Sequence, residues 1–170
     1  MRRLASIAAI IPALVAACGG SPTHVVGGGV LGKNIRPLST TNLPQTMLGL
    51  GVRSEDVSKA LTAGSRSYVS ATSVYSFRRA DNLLQATLQI SQFQTSARYQ
   101  SDKFRQTLVA GVGGTVPLLV HVGGQQVWLT TGDLQRIAVW FHGAFLFILA
   151  ERQDFPLSRA LLRQALQITP

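Results

Sequence analysis

The side chains that most often carry catalysis or bind metals are few in this chain: three histidines, seven carboxylates and one cysteine. His24, His121 and His142 share no metal-ligand spacing with one another or with the cysteine, so no metal is expected. His121 stands among apolar residues, where a lone imidazole is ordinarily structural. Asp56, Asp102 and Asp133 fall where helix starts and a turn are expected, which accounts for them without chemistry. Glu151 and Asp154 flank the last apolar run, but a hydrolase working through paired carboxylates needs two at a defined separation. There is no Gly-x-Ser-x-Gly elbow, and Gly111-Val-Gly-Gly-Thr lacks both the glycine spacing and the lysine of a phosphate loop. No catalytic residue and no cofactor is therefore expected, and the chain does not read as an enzyme.

The cysteine is the exception. Met1-Arg2-Arg3 is followed by an apolar run from Leu4 to Ala17 and then by Cys18. Positive charge, a short apolar stretch and small residues make the pattern of an export signal. The run falls short of the roughly 20 residues that a transmembrane helix needs. Leu14-Val15-Ala16-Ala17-Cys18 resembles the lipobox of bacterial lipoprotein precursors. The resemblance covers about the first twenty residues and no more. It implies that the Cys18 sulfur is joined to diacylglycerol, and that cleavage before Cys18 leaves it as the lipidated first residue. Two or more acyl chains hold a protein on a membrane durably, where one is marginal. The implied location is a cell membrane, with the domain lipid-anchored and facing the extracytoplasmic side.

The formal net charge is +9, and loss of residues 1–17 removes only Arg2 and Arg3 from that excess. Basic residues are scattered in runs no longer than two, which argues against a nucleic-acid arm. No nucleic-acid partner is expected.

The elements that must position anything functional begin after a spacer. Residues 18–47 are rich in Gly, Pro, Ser and Thr and read as a lipidated cysteine followed by a flexible tether. Residues 48–170 read as one domain. Ser54-Glu55-Asp56-Val57 has the pattern of a helix N-terminus, with the helix running to about Thr62. Ser67–Arg79 and Leu84–Phe93 alternate as strands around an Arg79–Asn82 turn. Ser101–Ala110 reads as a helix ended by Gly111. Four apolar runs then lie between Val116 and Glu151, separated by Gly123-Gly124, Gly132-Asp133 and His142-Gly143. Two-residue separators of this kind predict an antiparallel four-stranded meander over residues 116–151. A last helix is expected from Pro156, burying Leu157, Leu161 and Ile168. The expected class is α+β: a mostly antiparallel sheet of about six strands with two to three helices packed against it.

With those turns, Trp128 is expected opposite Ile137, Val139 opposite Leu146, and Ile137 opposite Ile148. Neither face of the meander is then polar. One carries Leu119, Trp128, Ile137, Val139, Phe141, Leu146 and Ile148; the other carries Leu118, Val120, Val127, Leu129, Ala138, Trp140, Phe145, Phe147 and Leu149. A sheet apolar on both sides implies helices on both sides, a groove for a lipid-like ligand, or a docked partner or second copy. Trp128, Trp140, Phe145 and Phe147 are the candidate residues for such an apolar ligand or partner surface. The leading expectation is a membrane-anchored lipoprotein whose domain is a non-catalytic binding module. A carrier or sensor of an apolar ligand is the first alternative, and a cell-envelope hydrolase the second.

Overall fold

A computed structural model describes residues 43–55, 69–93, 101–132 and 134–168 of the chain. The signal segment, Cys18 and the spacer up to Asn42 lie outside the described residues, as do residues 56–68, which take in the rest of the helix expected from Ser54.

Among the described residues eight strands form one sheet in which every pair is antiparallel. They are β1 (Thr46–Met47), β2 (Leu50–Glu55), β3 (Val69–Arg78), β4 (Leu84–Phe93), β5 (Leu118–Val122), β6 (Gln125–Thr131), β7 (Gln135–His142) and β8 (Phe145–Arg152). Two short helices accompany them among the described residues, α1 (Asp102–Ala110) and α2 (Ser158–Ala165). The spatial order is β1-β2-β3-β4-β8-β7-β6-β5. The chain thus builds half the sheet outward-in, crosses through α1 to the far edge at β5, and returns strand by strand until β8 seals against β4.

This corrects the expectation of an α+β domain with about six strands and two to three helices: the described fold is β-rich, with one eight-stranded sheet and only two short helices. The two added strands lie where a tether end and a helix start were expected. Met47 and Leu50 flank a turn in which Leu48 and Gly49 both take positive φ, +54° and +76°. A two-residue hairpin loop needs that conformation twice, and leucine seldom supplies it. Leu48 is half-buried against the core, and that packing offsets the strain. Ser54 and Glu55 continue β2 opposite Tyr75 and Val74 rather than opening a helix. Pairing with a ten-residue neighbour outweighs a local capping pattern.

The turns of the second half decide its register. Gly123 and Gly124 both have positive φ, and Val122 pairs with Gln125 across them. The next two turns each sit one residue later than the separators suggest. The Gly132 amide donates to the Gln135 carbonyl, and His142 pairs with Phe145 around Gly143-Ala144, with Gly143 at φ +57°. Trp128 therefore faces Val139, Phe141 faces Leu146, and Val139 faces Ile148, instead of the pairs expected. The slip moves each partner by two residues, so every side chain keeps its face.

Both faces are covered. Leu88, Ile90, Trp140, Phe147 and Leu149 pack with Leu161 and Ala165 of α2 on one side. Ile137, Val139, Leu146 and Ile148 pack with Leu108 and Val109 of α1 on the other. Ser101 caps α1 by accepting from the Phe104 amide, and Gly111 closes it. In α2, Leu161 is fully buried, but Leu157, expected in the core, is exposed. The helix begins at Ser158, so Leu157 precedes its first turn.

The central strands also bury polar groups on the α1 side of the sheet. The Thr72 hydroxyl donates to the Ile90 carbonyl and lies 3.0 Å from Ser91 Oγ, while Gln89 Nε2 donates to the same Ser91 oxygen. These bonds satisfy groups that would otherwise carry a desolvation cost on a buried surface.

Candidate functional site

The four candidate aromatic residues lie on the two faces the strand alternation assigns them, Trp128 on one and the other three together on the opposite one. Trp140 and Phe147 are neighbours on β7 and β8, fully buried and stacked with ring centroids 5.0 Å apart. Phe145 is half-buried on the same face. Trp128 lies on the opposite face, half-buried, with its ring edge-on to Phe141 at 5.7 Å. Arg105 of α1 completes that group, its guanidinium 5.0 Å from the Phe141 ring centre and donating to the Gly143 carbonyl. The pair Trp140 and Phe147 belongs to the core.

The other residues singled out from the sequence are also dispersed. His121 is exposed on β5 and His142 is exposed at the end of β7. Among the described residues no three of His, Cys, Asp or Glu converge where an ion could be held. Asp154 is exposed and tied to Arg152 by two bonds of 2.7 and 2.8 Å, which hold its carboxyl below the usual range. Glu151 points the other way. It is 5% exposed on the α2 side of β8, and its Oε2 accepts from the hydroxyl of Ser158, the first residue of α2. Arg136 is its cross-strand neighbour, but the Arg136 Nη2 donates to the Phe155 carbonyl at 2.7 Å. Glu151 Oε1 and Arg136 Nε are both buried without a partner. Burial pushes the Glu151 carboxyl up from 4.5 to about 7, against the opposing pull of Ser158 and Arg136. One buried acid and one surface-paired acid do not form the facing carboxylates of a glycoside hydrolase.

The surface that stands out is the edge formed by β5. Val116 is 91% exposed, Leu118 63% and Leu119 45%, and Leu134, in the β6–β7 turn at the same end of the sheet, is 65% exposed. Val120 and Val122 are half-buried on the side of α2. The backbone leading into this strand is held firmly. Thr131 N donates to Thr115 Oγ1, Thr130 Oγ1 donates to the Thr115 carbonyl, and Gly114 N donates to the Thr131 carbonyl. Gly113 sits so close to Thr130 that a Cβ there would overlap the threonine side chain. The exposed leucines and valine thus stand on a fixed support.

An edge strand displays unpaired N–H and C=O groups, and natural edges are usually guarded by charge or brevity. The opposite edge is guarded in both ways: β1 has two residues, and beyond it β2 carries the exposed Arg53. Among the described residues, neither guard is present at β5. From Gln106 to Gly132 the sequence has no Lys, Arg, Asp or Glu, and His121 is its one titratable side chain. That long uncharged interval was the signal in the sequence for this surface, and periodicity alone passes over it.

Compared with known proteins, the chain matches no family model, no curated protein and no solved structure at a significant level. Among the described residues no helix is long and apolar enough to cross a membrane.

Proposed function

We propose that the chain is a membrane-anchored bacterial lipoprotein whose extracytoplasmic domain is a non-catalytic binding module, and that the β5 edge is its binding surface. The observation that carries the binding role is the unguarded edge itself. Its exposed leucines and valine are pre-positioned and uncharged, on a sheet whose two faces are otherwise covered. An extended segment added to such an edge gains main-chain hydrogen bonds, and alternate side chains supply selectivity. The anchor rests on Leu14-Val15-Ala16-Ala17-Cys18 and on the resemblance of that segment to a lipobox.

Cell fractionation of the wild type and of Cys18→Ala tests the anchor. The wild type is expected in the membrane fraction, with the variant accumulating as uncleaved precursor or released protein; equal membrane retention with normal processing of the variant contradicts it. Leu118→Lys tests the surface: it places a charge on an exposed position of the edge, so the fold is kept and binding is lost.

A further inference from the structure

We propose that the occupant of the β5 edge is a second copy of this chain, paired antiparallel about a two-fold axis through Val120. The inference rests on the reading of β5 as the binding surface and names what fills it.

The hairpin chemistry fixes which backbone groups face outward. A two-residue loop is closed by a hydrogen-bonded pair, here Val122 and Gln125. Alternation then turns the N–H and C=O of Val122, Val120 and Leu118 toward β6, and those of His121 and Leu119 toward the open edge. Two copies laid antiparallel with Val120 facing Val120 bring Leu119 of each opposite His121 of the other. Both are outward-facing residues, so the two pairs exchange both of their bonds and the edge is satisfied without adjustment.

The side chains agree with that register. Leu118 of one copy meets Val122 of the other, and Val120 meets Val120 at the close, non-hydrogen-bonded position. This places an apolar strip directly beside the core that half-buries Val120 and Val122 in the single chain.

Charge selects the same occupant. Two copies of a chain that remains strongly basic after loss of Arg2 and Arg3 repel each other wherever basic residues meet, and the interval from Gln106 to Gly132 is free of them. A partner of opposite charge would have nothing on this edge to read. Closure also follows: an isologous pairing consumes both β5 edges, and the short β1 edge beside Arg53 does not propagate the sheet, so association stops at two.

Val120→Cys in the full chain, extracted in mild detergent and oxidised, is the direct test. Residues at the non-hydrogen-bonded position lie about 4.5 Å apart between Cα atoms, within reach of a disulfide. Peptide mapping is expected to find residue 120 joined to residue 120. Leu118→Cys serves as the register control, because its two copies sit about 14 Å apart along the strands and do not join. Val120→Lys sets like charges face to face and is expected to weaken dimerisation on the order of tenfold or more in detergent-corrected sedimentation, while Val120→Thr keeps it. A wild-type protein that sediments as a monomer, together with no 120–120 disulfide, overturns the proposal. The mapped peptide excludes residue 18, so the result stands whether or not Cys18 carries lipid.

Discussion

Ser158, which opens α2, donates its hydroxyl to Oε2 of Glu151 on β8, and the other oxygen of that carboxylate is buried with no partner. The native state therefore prefers the protonated acid, with the carboxyl raised from 4.5 to about 7. A group whose native pKa lies above its unfolded one contributes stability that is complete below the unfolded pKa and lost as pH rises through the native pKa. From this group, the protein is expected to be more stable near pH 5 than near pH 8, by up to roughly 3 kcal/mol. Glu151→Gln flattens that dependence in chemical denaturation at the two pH values. An unchanged slope in the variant would place the dependence elsewhere.

Ser158→Ala separates the hydroxyl from the burial. The hydroxyl favours the charged carboxylate, so its loss raises the Glu151 pKa further and costs about 1–3 kcal/mol above neutrality. Below the unfolded pKa the cost is smaller. Urea denaturation at both pH values reads the difference.

The support beneath the β5 edge depends on Gly113. Alanine there meets the Thr130 side chain and must displace it or the loop. Gly113→Ala is expected to lose about 1–3 kcal/mol, the usual cost of overpacking. Gly123→Ala has open space and a positive φ, so its cost comes from backbone strain alone, about 1 kcal/mol. Equal effects at the two sites would argue against the close approach to Thr130.

In α2 the buried and exposed leucines give opposite expectations. Leu161→Ala empties a fully buried site and is expected to cost about 2–5 kcal/mol. Leu157→Ala removes a side chain that is 42% exposed and is expected to change stability by about 0.5 kcal/mol or less. Thermal unfolding of the two variants distinguishes them, and a larger loss at Leu157 would mean that the helix packs through a different face.

At the start of the domain, Leu43 and Met47 pack into the same core as Leu88 and Trp140. A chain shortened to begin at Leu48 loses both and the β1 strand. It is expected to unfold well below one beginning at Leu43, by about 2–5 kcal/mol for the lost burial. Identical midpoints would show that β1 adds nothing.

Patterning along the chain revealed β4 and α1 closely, because strict alternation over Leu84–Ser91 and a Ser101 cap with a Gly111 stop are local signals. It also placed each residue of β5 to β8 on its face, although two turns lie one residue later, since face depends only on the parity of the register. What it missed was non-local. The β1–β2 hairpin turns through Leu48-Gly49, a pair without the usual turn chemistry, and becomes visible only through its packing. Ser54 and Glu55 carry a capping pattern that pairing with β3 overrides. Two apolar sheet faces make the aromatic residues candidates for a surface, but Trp140 and Phe147 are large and fill the core. The exposed edge is made of smaller aliphatic residues whose meaning depends on β5 lying at the end of the sheet. That position follows from β8 joining β4, a pairing between halves of the chain that no local pattern encodes.

The anchored binding module is tested most directly by the intact mass of the mature protein, produced in a bacterial host and extracted from its membranes. The account predicts a chain that begins at Cys18 and carries the mass of a diacylglycerol group on that residue. A protein that retains residues 1–17, or one that begins elsewhere with an unmodified Cys18, contradicts it.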